Sequence, residues 1–125
     1  MNPMDPTFAQ LFAAEWIAAW NSHDLDRILS HYTEDFEMNS PFIVQYMGEP
    51  SGRLARKDKV RAYWSLGLSR NPNLHFTLLD LHVGANSIVI HYHNQPLGRA
   101  VSEVLFFDPA GKVFRAAAHY ATVKG

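Results

Sequence analysis

The first part of the chain carries apolar residues three and four positions apart, which is the spacing of a helix. Asp5 and Pro6 stand just before this pattern, and an Asp cap followed by Pro is a common way to begin a helix. Only Gln10 and Glu15 interrupt the apolar run, so we expect a sheet to enclose this helix on most sides. Its expected inward residues are Phe8, Leu11, Phe12, Trp16, Ala19 and Trp20.

Two shorter helices and one strand are predicted next. A second helix begins after Asp24, and a third begins near Lys57 and ends before Pro72. Residues 36–38 alternate like a strand, whereas segment 41–56 is rich in breakers and predicts a long loop, which in a small domain is often functional. The expected inward residues are Leu25, Ile28, Leu29 and Tyr32 in the second helix and Val60, Tyr63, Trp64 and Leu68 in the third.

The rest of the chain predicts a sheet. Four β-rich runs, 74–83, 87–93, 99–107 and 112–123, are separated by short turns, so successive strands are expected to be antiparallel neighbours. Helices followed by such a meander predict an α+β fold, with a strongly curved antiparallel sheet around the N-terminal helix and two further helices. A sheet curved in this way leaves a blind cavity between helices and strands.

The composition suits a single domain spanning residues 1–125. Of these residues 47% are hydrophobic and 13% aromatic, which is enough for one substantial core. The 11 Lys+Arg and 12 Asp+Glu residues nearly cancel, so neither nucleic acid nor a membrane is expected as a partner. The chain contains no cysteine and shows neither a membrane-spanning stretch nor a signal-peptide pattern, so we expect a cytoplasmic protein.

Two long motifs and a Ser-Pro pair carry a family pattern. They are W-x3-W-N-x-H-D-L-D-x-I-x-x-x-Y-x-x-D-F from Trp16, the pair Ser40-Pro41, and F-D-x-x-G-K-V-x-R-x3-H-Y from Phe107. Over residues 8–120 the chain resembles the NTF2-like superfamily, in its SnoaL-like and ketosteroid-isomerase-like branch. The resemblance implies a cone-shaped fold. It does not identify the function, because this superfamily includes isomerases, dehydratases, epoxide hydrolases, aldol cyclases and non-catalytic binders.

The resemblance to ketosteroid isomerase implies roles for individual residues. Trp16 falls where that family has a Tyr of the oxyanion hole, and Glu103 falls where it has the protonated Asp that completes the hole. Ser40 falls on the catalytic base, and a Ser hydroxyl has no basic group with which to remove a carbon-bound proton. The implied catalytic set is Glu103, Ser40 and Trp16, without the usual base. The family's other pocket aromatics fall on Tyr32, Trp64 and Tyr120.

Strand alternation draws attention to Glu103 without any family. Glu103 shares a strand face with Val101, Leu105 and Phe107, so its carboxyl group is placed on an apolar, cavity-facing side. Burial there favours the neutral acid, a property of many acid–base residues and hydrogen-bond donors. The alternative is a structural Glu whose carboxyl group is satisfied by Arg99 or by a Trp or Tyr donor.

The remaining candidates are outward histidines of the sheet, a basic segment and the lining of the expected pocket. His91, His93 and His119 share outward parity, and without a further ligand at suitable spacing they favour an outer face or a dimer contact over a metal site. The basic residues from Arg53 to Arg61 either attract an anionic substrate or form a solvated surface, and the second interpretation is preferred. The predicted pocket residues are Tyr32, Phe42, Trp64, Ile88, Ile90, Tyr92, Val101 and Tyr120.

Two functional hypotheses result. The first is a protein that binds a small apolar molecule in a mostly apolar pocket, where Glu103 assists proton transfer next to a carbonyl, as in a cofactor-independent isomerase, cyclase or dehydratase (a lyase). The second is a non-catalytic binding or dimerisation module, which the missing base at Ser40 favours. Either hypothesis predicts a homodimer through the outer sheet face. Binding of an apolar probe beside Trp16 and Glu103 would favour the first.

Overall fold

Helices and strands alternate in the first half of the chain, and strands alone form the second half. The structure is a computed structural model and describes residues 5–122. Within that range the helices are α1 (Pro6–Ser22), α2 (Leu25–Leu29), α3 (Pro41–Met47) and α4 (Lys57–Arg70). The strands are β1 (Tyr32–Asn39), β2 (Arg53–Ala55), β3 (Phe76–Val83), β4 (Ser87–Asn94), β5 (Arg99–Phe107) and β6 (Val113–Tyr120). No helix in residues 5–122 combines the length and the apolar character needed to cross a membrane.

The first two helices begin at the Asp residues that the sequence indicated. The side chain of Asp5 accepts a hydrogen bond from the backbone N–H of Thr7 at 2.9 Å, and Asp24 accepts one from Arg27 at 3.2 Å. α1 ends at His23, whose left-handed backbone (φ 61°) directs its N–H to the Trp20 carbonyl. These caps satisfy backbone groups that the ends of a helix leave unpaired, and they set the short connection between α1 and α2.

The α+β class with a curved sheet is confirmed. Across residues 5–122 the strands form one sheet in the order β2-β1-β6-β5-β4-β3, and β3 to β6 are the predicted antiparallel meander. One pairing differs from the prediction, because β1 lies parallel to β6. Alternation defines the faces of a strand but does not encode the direction of its partner. Val123, the last residue of the fourth predicted run, lies outside the described residues.

Segment 41–56 is not a loop throughout, because it contains α3 and β2, so α1 is followed by three further helices in the described chain. Pro41 begins α3, since Pro breaks the interior of a helix but is well suited to its first turn. The Ser40 hydroxyl caps this helix, and Ile43 on its inner side is fully buried. Burial of this apolar side stabilises the helix. The Gly and Pro residues of the segment give no indication of that burial.

Two expectations about the first helices are wrong. Tyr32 begins β1 and does not belong to α2, which ends at Leu29. α1 is not enclosed on most sides, because Leu11 is 68% exposed and the neighbouring Ala14 and Ala18 are exposed as well. Small Ala side chains tolerate solvent, so an Ala-rich run says little about which sides of a helix are covered.

The core lies between α1 and the sheet. The Trp16 ring stacks on Phe76 of β3 with centroids 5.8 Å apart, and it lies 5.2 Å from Tyr92 of β4. In β5 alternate residues are buried, including Val101 and Leu105, both completely. Glu103 stands between these two on the same face, so the fold places a carboxyl group inside an aromatic core.

Candidate functional site

A cavity of about 160 Å³ lies between the helices and the sheet. Glu103 is the acidic residue of its wall, and aromatic side chains form most of the remainder. A concave, mainly apolar site with few polar groups is typical of small-molecule pockets. The aromatic lining residues are Trp16, Trp20, Phe42, Tyr46, Tyr63, Trp64, Phe76, Tyr92 and Tyr120.

The cavity has a buried end and a half-exposed end. Glu103, Tyr92 and Trp16 are at most 4% exposed and line the inner part. Asn71 after α4 and Asn94 at the end of β4 are partly exposed and line the outer part. The cavity therefore opens between the C-terminal end of α4 and the turn from β4 to β5.

The carboxyl group of Glu103 has one protein donor in the described structure. The Tyr92 hydroxyl donates a hydrogen bond to Glu103 Oε1 at 3.1 Å, and Ile90 and Ala118 are its register neighbours on the adjoining strands. Burial raises the pKa of Glu103 to about 7, although the Tyr92 hydrogen bond acts in the opposite direction by stabilising the carboxylate. Both protonation states are therefore available near neutral pH.

Four buried tyrosines lie near enough to this carboxyl group for its charge to affect their pKa values. Burial is the main cause that raises the pKa values of Tyr32, Tyr92 and Tyr120, and proximity to Glu103 raises them further. The same two effects raise the pKa of Tyr63 to about 12. These phenols remain protonated at neutral pH, so they act as hydrogen-bond donors and not as bases.

The indole N–H of Trp16 is already engaged. Trp16 Nε1 donates to the Tyr32 hydroxyl oxygen at 2.8 Å, and both residues are at most 2% exposed. Trp16 lines the cavity with its ring, whereas Tyr32 lies outside the lining. A ligand would therefore contact Trp16 as an apolar wall, and the oxyanion donor role implied for it would require breaking this hydrogen bond.

Ser40 lies apart from the Glu103 cavity. Its Oγ accepts a hydrogen bond from the Phe42 backbone N–H at 3.2 Å and one from the Tyr63 hydroxyl at 3.3 Å. Ser40 lines a second, more open cavity of about 290 Å³, together with Asn39 and His119. Tyr63 lines the first cavity. Ser40 therefore touches that cavity only indirectly, through its hydrogen bond with Tyr63.

The predicted pocket residues divide into two groups. Phe42, Trp64, Tyr92 and Tyr120 line the cavity. The others lie in the core outside the lining, because the cavity ends before it reaches them; these are Tyr32, Ile88, Ile90 and Val101.

Several lining residues were missed by sequence reasoning as pocket residues. Trp20 stands one helical turn after Trp16, and Tyr63 precedes Trp64, so spacing was a usable signal for both. Tyr46 lies in α3, within the segment for which the sequence predicts a loop, so no spacing pattern points to it. The Nε1 atom of Trp20 is buried, and among the described residues it has no hydrogen-bond partner. The cavity wall therefore contains an unpaired N–H donor, which is rare for a buried polar group.

The histidines lie on the other face of the sheet. His91, Ser102 and His119 are in register on three neighbouring strands, and a ring nitrogen of His91 is 3.1 Å from the Ser102 hydroxyl. Within residues 5–122 no three His, Cys, Asp or Glu side chains are grouped to hold a metal ion. The row is a polar strip on the outer surface.

Comparisons with other proteins agree with this architecture. Residues 13–125 match the family model of the SnoaL-like domain. A SnoaL-like protein of unknown function from Burkholderia thailandensis E264 is 52% identical with a TM-score of 0.91, over 94% of this chain and 98% of that chain. No functionally curated protein has a significantly similar sequence.

Two more distant structures share the fold. A member of the SnoaL-like family from Agrobacterium tumefaciens is 15% identical, with a TM-score of 0.73 over 92% of this chain and 98% of that chain. The epoxide hydrolase/cyclase-like enzyme SalBIII, described for its role in pyran ring formation in the polyether salinomycin, is 16% identical, with a TM-score of 0.71 over 97% and 96%. At these identities the likeness concerns the fold alone.

Proposed function

The chain belongs to the SnoaL-like domain family, and on that premise we propose that its aromatic cavity binds a largely apolar small molecule and that Glu103 transfers a proton next to a carbonyl group. The observation that carries the proposal is a buried carboxyl group whose pKa is raised to about 7 in the wall of an aromatic cavity. General acid–base groups work best when their pKa lies near the working pH.

The proposed chemistry needs only groups that the chain supplies. The Glu103 carboxylate takes a proton from the carbon next to a bound carbonyl, giving the neutral acid and an enolate. The hydroxyl of Tyr120, a lining residue, donates a hydrogen bond to the enolate oxygen. The Glu103 acid then returns the proton to another carbon, which completes an isomerisation. Attack of the enolate carbon on a second carbonyl would instead form a carbon–carbon bond and close a ring, and the Glu103 acid would give its proton to the resulting alkoxide.

In this scheme Ser40 takes no proton from the substrate. Its hydroxyl oxygen already accepts two hydrogen bonds, from Phe42 and Tyr63. Ser40 holds the start of α3 and the Tyr63 hydroxyl in place, and Trp16 provides a flat wall. The acid–base role is therefore concentrated on Glu103, with Tyr92 as the residue that adjusts its proton affinity.

A screen of ketones, enones and epoxides for conversion by the wild-type protein tests the proposal. Conversion is expected to depend on Glu103, so that Glu103→Gln lowers kcat by about a hundredfold or more. Glu34→Gln is the matched control, because the Glu34 side chain is 88% exposed. Full turnover by Glu103→Gln on a confirmed substrate would refute the acid–base role.

A non-catalytic binding or dimerisation module is the second candidate. Val89, Val104 and Ala117 form an apolar row across the outer face, beside the row of His91, Ser102 and His119. We propose that this face pairs with a second copy of the chain in either case. Light scattering at micromolar concentration is expected to give the mass of a dimer, and Val104→Glu is expected to give a monomer; a wild-type monomer contradicts the pairing.

A cytoplasmic location is proposed as well. The chain contains no cysteine, so its stability makes no use of the disulfides that oxidising compartments favour. Fractionation of cells that produce the protein, with recovery in the membrane or secreted fraction, would contradict this location.

A further inference from the structure

The cavity differs in charge between its two ends. At the inner end stands the Glu103 carboxyl group, and the lining contains no second acid. At the outer end stand Asn71 and Asn94, which are engaged locally: Asn71 donates to the Gly67 carbonyl at 2.8 Å and Asn94 accepts from the Leu97 backbone N–H at 3.2 Å. Two arginines stand next to these amides.

Arg70 is held at the rim by an aromatic ring. It is the last residue of α4, and its guanidinium carbon lies 4.9 Å from the ring centroid of Tyr46, which lines the cavity. A cation over an aromatic face is attracted by the ring, so this contact keeps the positive charge beside the opening.

Arg99 lies in the sheet next to a lining residue of the cavity. It is the first residue of β5 and lies opposite Asn94 in the β4–β5 pairing, which has no irregularity. Arg99 has the same parity as Glu103 and therefore lies on the cavity side of the strand. The two residues are four positions apart along the strand, which is about 13 Å.

No acidic side chain of the described chain neutralises these two arginines. The ion pairs in residues 5–122 include Arg27, Arg53, Arg56 and Arg61, but neither Arg70 nor Arg99. Most of the basic run that the sequence singled out is thus paired with acids, whereas the two arginines beside the lining residues Tyr46 and Asn94 keep their charge available to a ligand.

We propose that the natural ligand is an elongated molecule with a carboxylate at one end, which binds at Arg70 and Arg99 while the apolar, carbonyl-bearing end enters first and reaches Glu103. This inference rests on the proposed function of the cavity. The reverse orientation would bury a carboxylate beside Glu103, away from water and next to a group of the same charge. The two ends of the cavity therefore select both the ligand class and its direction.

The inference is tested with 2-naphthoate and 2-naphthamide, two probes with the same ring system and different charge. Their binding to the intact protein is measured by calorimetry at pH 7 in low salt. The carboxylate is expected to bind about fivefold more tightly than the amide, and high salt is expected to reduce this preference. Arg70→Gln and Arg99→Gln are expected to lower the preference separately, and the double variant to abolish it.

Arg61→Gln is the matched control, because Arg61 lies on the same helix as Arg70 and pairs with Asp26 instead. This variant is expected to retain the preference. Equal binding of both probes by the wild type, or a preference that survives in the double variant, overturns the anionic-end inference and leaves the apolar pocket standing. Failure of both probes to bind overturns the pocket itself, and with it this inference.

Discussion

The Tyr92 hydroxyl donates a hydrogen bond to Glu103 Oε1 across 3.1 Å, from a strand that is the direct neighbour of β5. Both side chains are at most 4% exposed, so the acid and its donor are withdrawn from water together. Two opposing influences therefore act on the Glu103 carboxyl group. Burial favours the neutral acid, and the hydrogen bond from the phenol favours the carboxylate.

Glu103 makes the stability of the protein depend on pH. Its pKa is raised from 4.5 to about 7 on folding, so between these pH values the native state binds more protons than the unfolded state, and stability falls as the pH rises. Against Glu103→Gln, which cannot ionise, the wild type is expected to lose about 3 kcal/mol of relative stability between pH 4 and pH 8. Urea unfolding at a series of pH values measures this difference. Parallel pH profiles of the two proteins would show that folding does not raise the pKa of Glu103.

Removal of the phenol donor should act mainly on the ionised acid. Tyr92→Phe is expected to cost about 2 kcal/mol at pH 8, where a buried carboxylate loses its donor, and less at pH 4. The pKa of Glu103 is expected to rise further, because only the influence of burial remains. Carbon-13 NMR of the labelled carboxyl group follows this titration. Tyr46→Phe, at the cavity rim, is the control and should leave the Glu103 titration in place.

Trp16 and Tyr32 should be energetically coupled. Trp16→Phe removes the 2.8 Å hydrogen bond to the Tyr32 hydroxyl and leaves that hydroxyl buried, at an expected cost of about 3 kcal/mol in unfolding free energy. In the double variant with Tyr32→Phe the unpaired hydroxyl is absent. The double variant should therefore lose about 1 kcal/mol less stability than the sum of the losses of the two single variants. Strict additivity in denaturant unfolding would mean that the bond contributes nothing.

Ser40 should matter for the stability of α3. Ser40→Ala removes the cap from the Phe42 N–H and the acceptor of the Tyr63 hydroxyl, so a loss of about 1 kcal/mol is expected. Ser65→Ala, at an exposed position of α4, is the control for the same substitution in the helix. A Ser40→Ala protein as stable as the control variant would remove the capping role.

Local patterns were sufficient for most elements. Neighbouring residues are enough to predict the caps at Asp5 and Asp24 and the four late strands. The inward placement of Glu103 follows from strand alternation alone. Errors arose where several contacts decide the outcome. Segment 41–56 contains a helix because the core covers Ile43, and Leu11 is exposed because only part of α1 faces the core.

The sequence by itself determined the α+β class, the family resemblance and the inward side of β5, because these depend on periodicities of two and three to four residues along the chain. Only the tertiary structure shows that Tyr92 donates to Glu103, that Trp16 donates to Tyr32, and that Ser40 caps α3 outside the lining of the Glu103 cavity. It also places Arg70 over the ring of Tyr46 and Arg99 opposite Asn94, and both Tyr46 and Asn94 line that cavity. Those relationships join residues on different elements, and their distances are set by strand register and helix packing, which the spacing of residues along the chain does not encode.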